Sequence, residues 1–181
     1  MRRCLLAVAL LLVAEGVSQV ATLPDAPAGG AGLGSLVRMP DGTLVVVRIG
    51  NGKAGDVVFV RPDGTTGIVP GLAPERPRIG LTLAADGNLY VGYLVRVNNA
   101  NVGSVARLSL EGTEQEVIGG LQKPVGVLAV GDTLFVADQV AGKVPRAPMT
   151  ALQEYTTLAT LPSPDLLAMG PDGSLLLLPA R

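Results

Sequence analysis

The 181-residue sequence has no histidine, no tryptophan and a single cysteine, Cys4. Without histidine it lacks the side chain that most often acts as a proton acceptor near neutral pH. Ser104 and Ser109 therefore have no base partner of the usual kind, and a nucleophilic triad is unsupported. Aromatic residues make up only 3% of the chain and charged residues 16%. No block of basic residues provides the clustered positive surface that a nucleic-acid backbone requires, and no basic amphipathic helix suits a membrane surface.

The N-terminus reads as a targeting segment. Arg2 and Arg3 precede the apolar run CLLAVALLLVA (4–14), and Glu15, Gly16 and Ser18 follow it. That is the layout of a secretory signal peptide over residues 1–18, cleaved before Gln19, and the run is too short for an ordinary transmembrane helix. The expected location is extracytoplasmic, periplasmic or secreted. Cys4 opens the apolar run, whereas a lipidation cysteine would close it. The processed chain would then hold no thiol, which excludes internal disulfides, thiolate metal sites and cysteine nucleophiles. Removing Arg2, Arg3 and Glu15 from the 14 basic and 15 acidic residues leaves a net charge of −2.

What the chain does have is aliphatic residues, 24 glycines and 14 prolines, arranged as short apolar runs between turns. This composition predicts an all-β protein. Four segments share one pattern: PDGTLVVVR (40–48), ADGNLYVGY (85–93), VGDTLFVAD (130–138) and PDGSLLLLP (171–179). Their first leucines are Leu44, Leu89, Leu134 and Leu175. A second landmark recurs before each, at Leu23, Leu72, Leu121 and Leu161. Each unit reads as a short apolar strand, an Asp-Gly or Gly-Asp turn, a second strand, a loop, and two further strands. Four antiparallel strands every ~40–45 residues is the period of a propeller blade. The runs LVVV and LLLL do not alternate, so both are expected to be buried on two faces. A β-sandwich would not require so regular a repeat.

Segment 124–144, PVGVLAVGDTLFVADQVAGKV, resembles the repeat of the NHL and gluconolactonase-like β-propeller superfamily, which includes scytonemin-associated secreted propellers. Gly80-Leu81-Thr82-Leu83 with Asp86-Gly87-Asn88-Leu89-Tyr90-Val91 repeats the pattern less fully. The resemblance covers roughly residues 33–179 and implies a ring of four-stranded blades. Its members commonly carry about six blades. Here about three and a half are expected, in units near 24–72, 73–121 and 122–161 with a partial unit at 162–181. The open alternatives are a truncated ring, a compact closed ring, or half a propeller completed by self-association through its open edge. Residues 19–23 could supply an outer strand to the last unit.

Propellers bind small molecules or proteins at the channel mouth. Just after each apolar run stand Arg48, Tyr93, Asp138 and Pro179. The first three differ in charge and hydrogen-bonding type where a purely structural position would repeat, which makes them ligand-binding candidates. Each also has a structural reading, Asp138 as a turn former. The stretch 94–104, read as a long loop, adds Asn98, Asn99 and Asn101, suited to a sugar, a peptide or simply a turn. Arg76 and Arg78 fall on one rim, salt-bridged or solvated. The sequence favours a non-catalytic ligand- or protein-binding module with no cofactor. The resemblance implies one alternative, a truncated or degenerate lactonase-like sugar hydrolase with a carboxylate and asparagine site for Ca2+. The histidine base of quinone-dependent sugar dehydrogenases is excluded.

Overall fold

The computed structural model describes residues 7–8, 12–13, 16–17, 21–26, 31–50 and 55–180. The expected signal peptide falls outside the described residues, apart from three two-residue strands, β1 (Ala7–Val8), β2 (Leu12–Val13) and β3 (Gly16–Val17). A fourth, β4 (Ala21–Thr22), pairs with β1.

Three four-stranded antiparallel sheets follow, each in simple up-and-down order. Blade one holds β5 (Ala31–Arg38), β6 (Leu44–Gly50), β7 (Asp56–Val60) and β8 (Thr66–Ile68). Blade two holds β9 (Arg78–Leu83), β10 (Leu89–Val97), β11 (Ala100–Leu108) and β12 (Glu114–Leu121). Blade three holds β13 (Pro124–Val130), β14 (Thr133–Asp138), β15 (Lys143–Pro148) and β16 (Thr156–Thr160). A half-blade of β17 (Pro164–Met169) and β18 (Leu175–Pro179) completes the described chain. The arrangement is a partial β-propeller of about three and a half blades, and the first strands β5, β9, β13 and β17 pack side by side as its inner layer.

The Asp-Gly turns form the β5–β6, β7–β8, β9–β10 and β17–β18 connections for a local reason. Asp41, Asp63, Asp86 and Asp172 each accept the backbone N–H of the residue two positions on. The following glycine takes a left-handed conformation, with φ of 88° at Gly42 and 79° at Gly87, which side chains with a Cβ resist. The leucine landmarks then stand at or next to the start of the second strand of each unit, and Leu89 and Leu134 bury against the preceding blade.

Two layers of apolar residues lie between successive blades. Val45, Val47 and Val57 of blade one meet Leu81, Leu89, Val91 and Tyr93 of blade two. On the opposite face of blade two, Tyr90, Val105 and Ile118 meet Val127, Leu134 and Val136 of blade three. A strand buried on both faces needs no alternation, and LVVV in β6 behaves so.

The LLLL run does not. Leu175 and Leu177 are half-buried, while Leu176 and Leu178 are exposed. No blade covers their face among the described residues, so the run is buried on one side only. Residues 21–23 also differ from expectation. Leu23 packs on Val46, Val58 and Val60 of blade one, with Ala21 beside it, rather than joining the half-blade. Finally, the stretch 94–104 is a hairpin. β10 and β11 pair without a bulge through Val97 and Ala100, and only Asn98 and Asn99 form the turn.

Candidate functional site

The strand register brings four expected site positions to one end of the blades. Arg48 stands opposite Leu33, Tyr93 opposite Arg78, Asp138 opposite Pro124, and Pro179 opposite Pro164. Asp138 and Pro179 are the last residues of their second strands, while Arg48 and Tyr93 lie within theirs.

Each polar side chain there is engaged within the chain. In blade one Arg48 is buried against Asp56, donating from Nε to Oδ1 at 2.7 Å and from Nη2 to Oδ2 at 2.5 Å. Its Nη1 donates to the carbonyl of Pro24 at 2.6 Å, which ties the 23–25 segment to the blade. A planar guanidinium spanning a carboxylate and a carbonyl uses its fork geometry fully.

Blade two carries a larger cluster. Arg78 is 0% exposed and donates to both carboxylate oxygens of Glu114, from Nε at 2.7 Å and from Nη2 at 2.8 Å. Its Nη1 reaches the carbonyls of Ala73 and Arg76. Arg76 adds a third contact to Glu114 at 3.0 Å and lies over the Tyr93 ring at 4.8 Å. The Tyr93 hydroxyl donates to Glu116 Oε2 at 2.7 Å. Burial, and then that hydrogen bond to a carboxylate, raises the Tyr93 pKa above its ordinary value. Arg76 and Arg78 are therefore salt-bridged, and Arg78 is interior rather than on a rim.

In blade three Asp138 accepts the backbone N–H of Lys123 at 2.7 Å and of Gln122 at 3.0 Å, using both carboxylate oxygens. It closes the connection into β13. Asn98 and Asn99 sit at the tip of the β10–β11 hairpin, both left-handed with φ of 50° and 63°. Asn101, opposite Arg96, is the second residue of β11. These asparagines shape and flank a two-residue turn of the kind that favours Asn.

The Ca2+ implied by the resemblance requires a convergent oxygen cage. Among the described residues no group of three or more His, Cys, Asp or Glu is placed to hold a metal ion. Both Asp138 oxygens are taken by backbone donors, so the residues present do not fit the ion.

A different concavity, of about 510 Å3, lies between blades one and two beside the strand turns. Met39, Leu108 and Leu110 are among its apolar lining, and Asp41, Arg61 and Glu111 among its charged groups. Arg61 stacks over Phe59 at 4.8 Å. Backbone and side-chain hydrogen bonds from Thr43 hold the Asp41 carboxyl below its ordinary pKa, and the Ser109 hydroxyl does the same for Glu111. Both remain anionic at neutral pH. Sequence reasoning missed this cleft because its residues belong to two different repeats. The one available signal was a charged side chain shortly after two of the third strands, Arg61 in VVFVR and Glu111 in LSLEG.

No family model matches the sequence, and no curated protein matches it. Solved structures do match. The chain is similar to the calcium-binding protein regucalcin from Agrobacterium tumefaciens, at 17% identity and a TM-score of 0.63 over 93% of this chain and 59% of that one. It is similar to catalytically inactive virginiamycin B lyase from Staphylococcus aureus with quinupristin, at 14% identity and 0.53, over 94% and 70%. It is also similar to Kuenenia stuttgartiensis hydrazine synthase, at 15% identity and 0.55, over 80% and 58%. The chain thus spans well under the full length of each. These likenesses show the fold, in agreement with the propeller resemblance in the sequence. Three such different proteins on one architecture leave function to the site.

Proposed function

We propose that this chain is an exported β-propeller repeat protein that binds a small molecule or a protein without catalysing a reaction on it. Arg2, Arg3 and the apolar run 4–14 support export. One observation carries the binding reading: Arg48, Arg78, Tyr93 and Asp138 all spend their hydrogen-bonding groups on partners inside the chain. A reacting group must instead be free to meet substrate or metal at the mouth. The cleft between blades one and two offers a concavity in which apolar side chains and charged groups stand together, as a binding site needs.

The second reading, a truncated or degenerate lactonase-like hydrolase, draws on the resemblance in the sequence and on the likeness to the calcium-binding protein regucalcin. It asks Asp138 to serve a metal while holding two backbone amides. The experiment is lactone hydrolysis by the purified protein with and without added Ca2+. The binding reading expects no rate above the uncatalysed background in either case. Metal-dependent turnover would replace it with the hydrolase.

A further inference from the structure

The cleft between blades one and two has a counterpart one blade further on, where the chain itself supplies an extra aliphatic side chain. Leu89 pairs with Leu108 in blade two and Leu134 with Ala147 in blade three, which makes Leu110 and Met149 equivalent. Both pack against the apolar core of their own blade junction. From there the two connections differ. Blade three takes seven residues (149–155) to reach β16, where blade two takes five (109–113) to reach β12. The longer connection places Leu152 against the core between blades two and three. Blade two has no counterpart of Leu152, and the cleft lies along its shorter turn, at Ser109, Leu110 and Glu111.

Depth separates the two kinds of lining. Leu108 is buried and Met39 and Leu110 are half-buried, whereas Asp41, Arg61 and Glu111 are exposed. The volume of about 510 Å3 falls in the range of small-molecule sites.

The charge around the cleft is unbalanced. Asp41 and Glu111 form no ion pair among the described residues. Arg61 is the one cation among the described residues of the lining, and it stacks on Phe59. Its attraction is divided between two carboxylates. It adds to the hydrogen bonds from Thr43 that hold the Asp41 carboxyl below its ordinary pKa, and to those from Thr65 that do the same for Asp63. Asp41, Asp63 and Glu111 against Arg61 leave a net charge of −2. An aliphatic surface beside unpaired carboxylates complements a ligand that joins an apolar body to a positive head.

We propose that this cleft takes a small organic cation, its aliphatic body against Met39, Leu108 and Leu110 and its ammonium facing Asp41 and Glu111. The aliphatic body plays the part that Leu152 plays one blade further on. The inference rests on the reading of the chain as a binding module and adds the charge of what it binds. A carboxylate ligand, such as the product of lactone hydrolysis, would meet like charge at the same place.

Hexylammonium, hexanol and hexanoate share one six-carbon chain and differ in carrying a positive, a neutral or a negative head. Each is titrated into the purified protein and followed by amide NMR spectra. Shifts should cluster at residues 39–43, 59–61, 87–89 and 108–111, and hexylammonium should bind at least about tenfold more tightly than hexanoate, with hexanol between them. Asp41→Asn with Glu111→Gln removes both charges while leaving an acceptor for the Thr43 amide, and should bring hexylammonium down to the affinity of hexanol. Raising salt from about 0.01 M to about 1 M makes the same test on the wild type without a substitution, and should weaken hexylammonium alone. Hexanoate binding as tightly as hexylammonium, shifts confined to other residues, or no shift with any probe would each overturn the proposal. Those outcomes leave the non-catalytic reading standing, which falls instead on metal-dependent lactone hydrolysis.

Discussion

Arg48 and Asp56 face each other across β6 and β7, joined by two hydrogen bonds, with the arginine buried beneath the 23–25 segment. Removing one member strands the other charge in the interior, which costs far more than the pair itself contributes. Asp56→Ala should therefore lower unfolding stability by about 3 kcal/mol. The combined change Arg48→Met with Asp56→Val should cost clearly less. Urea unfolding of both variants decides this. Equal losses would mean that the arginine is not confined as described.

The blade-to-blade glycines make a prediction with an internal control. Gly80→Ala would push a methyl to 2.7 Å from one backbone oxygen and 2.9 Å from the Val127 nitrogen, neither able to swing away. The expected loss is about 1–3 kcal/mol, as for other overpacked interiors. Gly32→Ala, in the inner strand of blade one with nothing within 4 Å, should stay within about 0.5 kcal/mol of the wild type. Thermal unfolding of the two variants side by side is the measurement.

Alkaline pH should loosen the fold through Tyr90. Burial, and then a hydrogen bond to Asp86, pushes its phenol pKa from 10.0 up to about 12. The fold thus holds this proton more tightly than the unfolded chain does. The resulting stability is fully present below pH 10 and is lost as pH rises through about 12. Stability measured across that window should fall less steeply in Tyr90→Phe. Part of the slope should remain, because burial also raises the pKa of Tyr93.

The β10–β11 turn needs left-handed backbone at two consecutive residues. Asn99→Gly should preserve or slightly raise the melting temperature, because Asn-Gly is the preferred pair for such turns. Asn98→Val should cost roughly 1–2 kcal/mol, the penalty for a branched side chain in that region. Melting curves of the two variants check both.

The repeat made much of the fold legible. Leu44, Leu89 and Leu175 open β6, β10 and β18, and Leu134 is the second residue of β14. Local chemistry sets these starts, through an aspartate capping its own turn and a glycine permitting it. What stayed hidden depends on contacts between distant residues. The 36 positions separating Arg78 from Glu114 gave no sign that the two would pair. The divergence of Arg48, Tyr93 and Asp138 among the repeats was visible, but the different intrachain partner that each one holds was not. LLLL looked like LVVV because a string of leucines does not say whether a neighbour covers its second face.

The central claim is that the polar residues at the mouth hold the blades together. Urea unfolding of Asp138→Ala tests it most directly. Loss of the carboxylate leaves the Gln122 and Lys123 amides without their acceptor, and stability should fall by about 1–3 kcal/mol. A residue kept for binding or catalysis at the expense of the fold would behave in the opposite way. Unchanged or increased stability of Asp138→Ala would contradict the account.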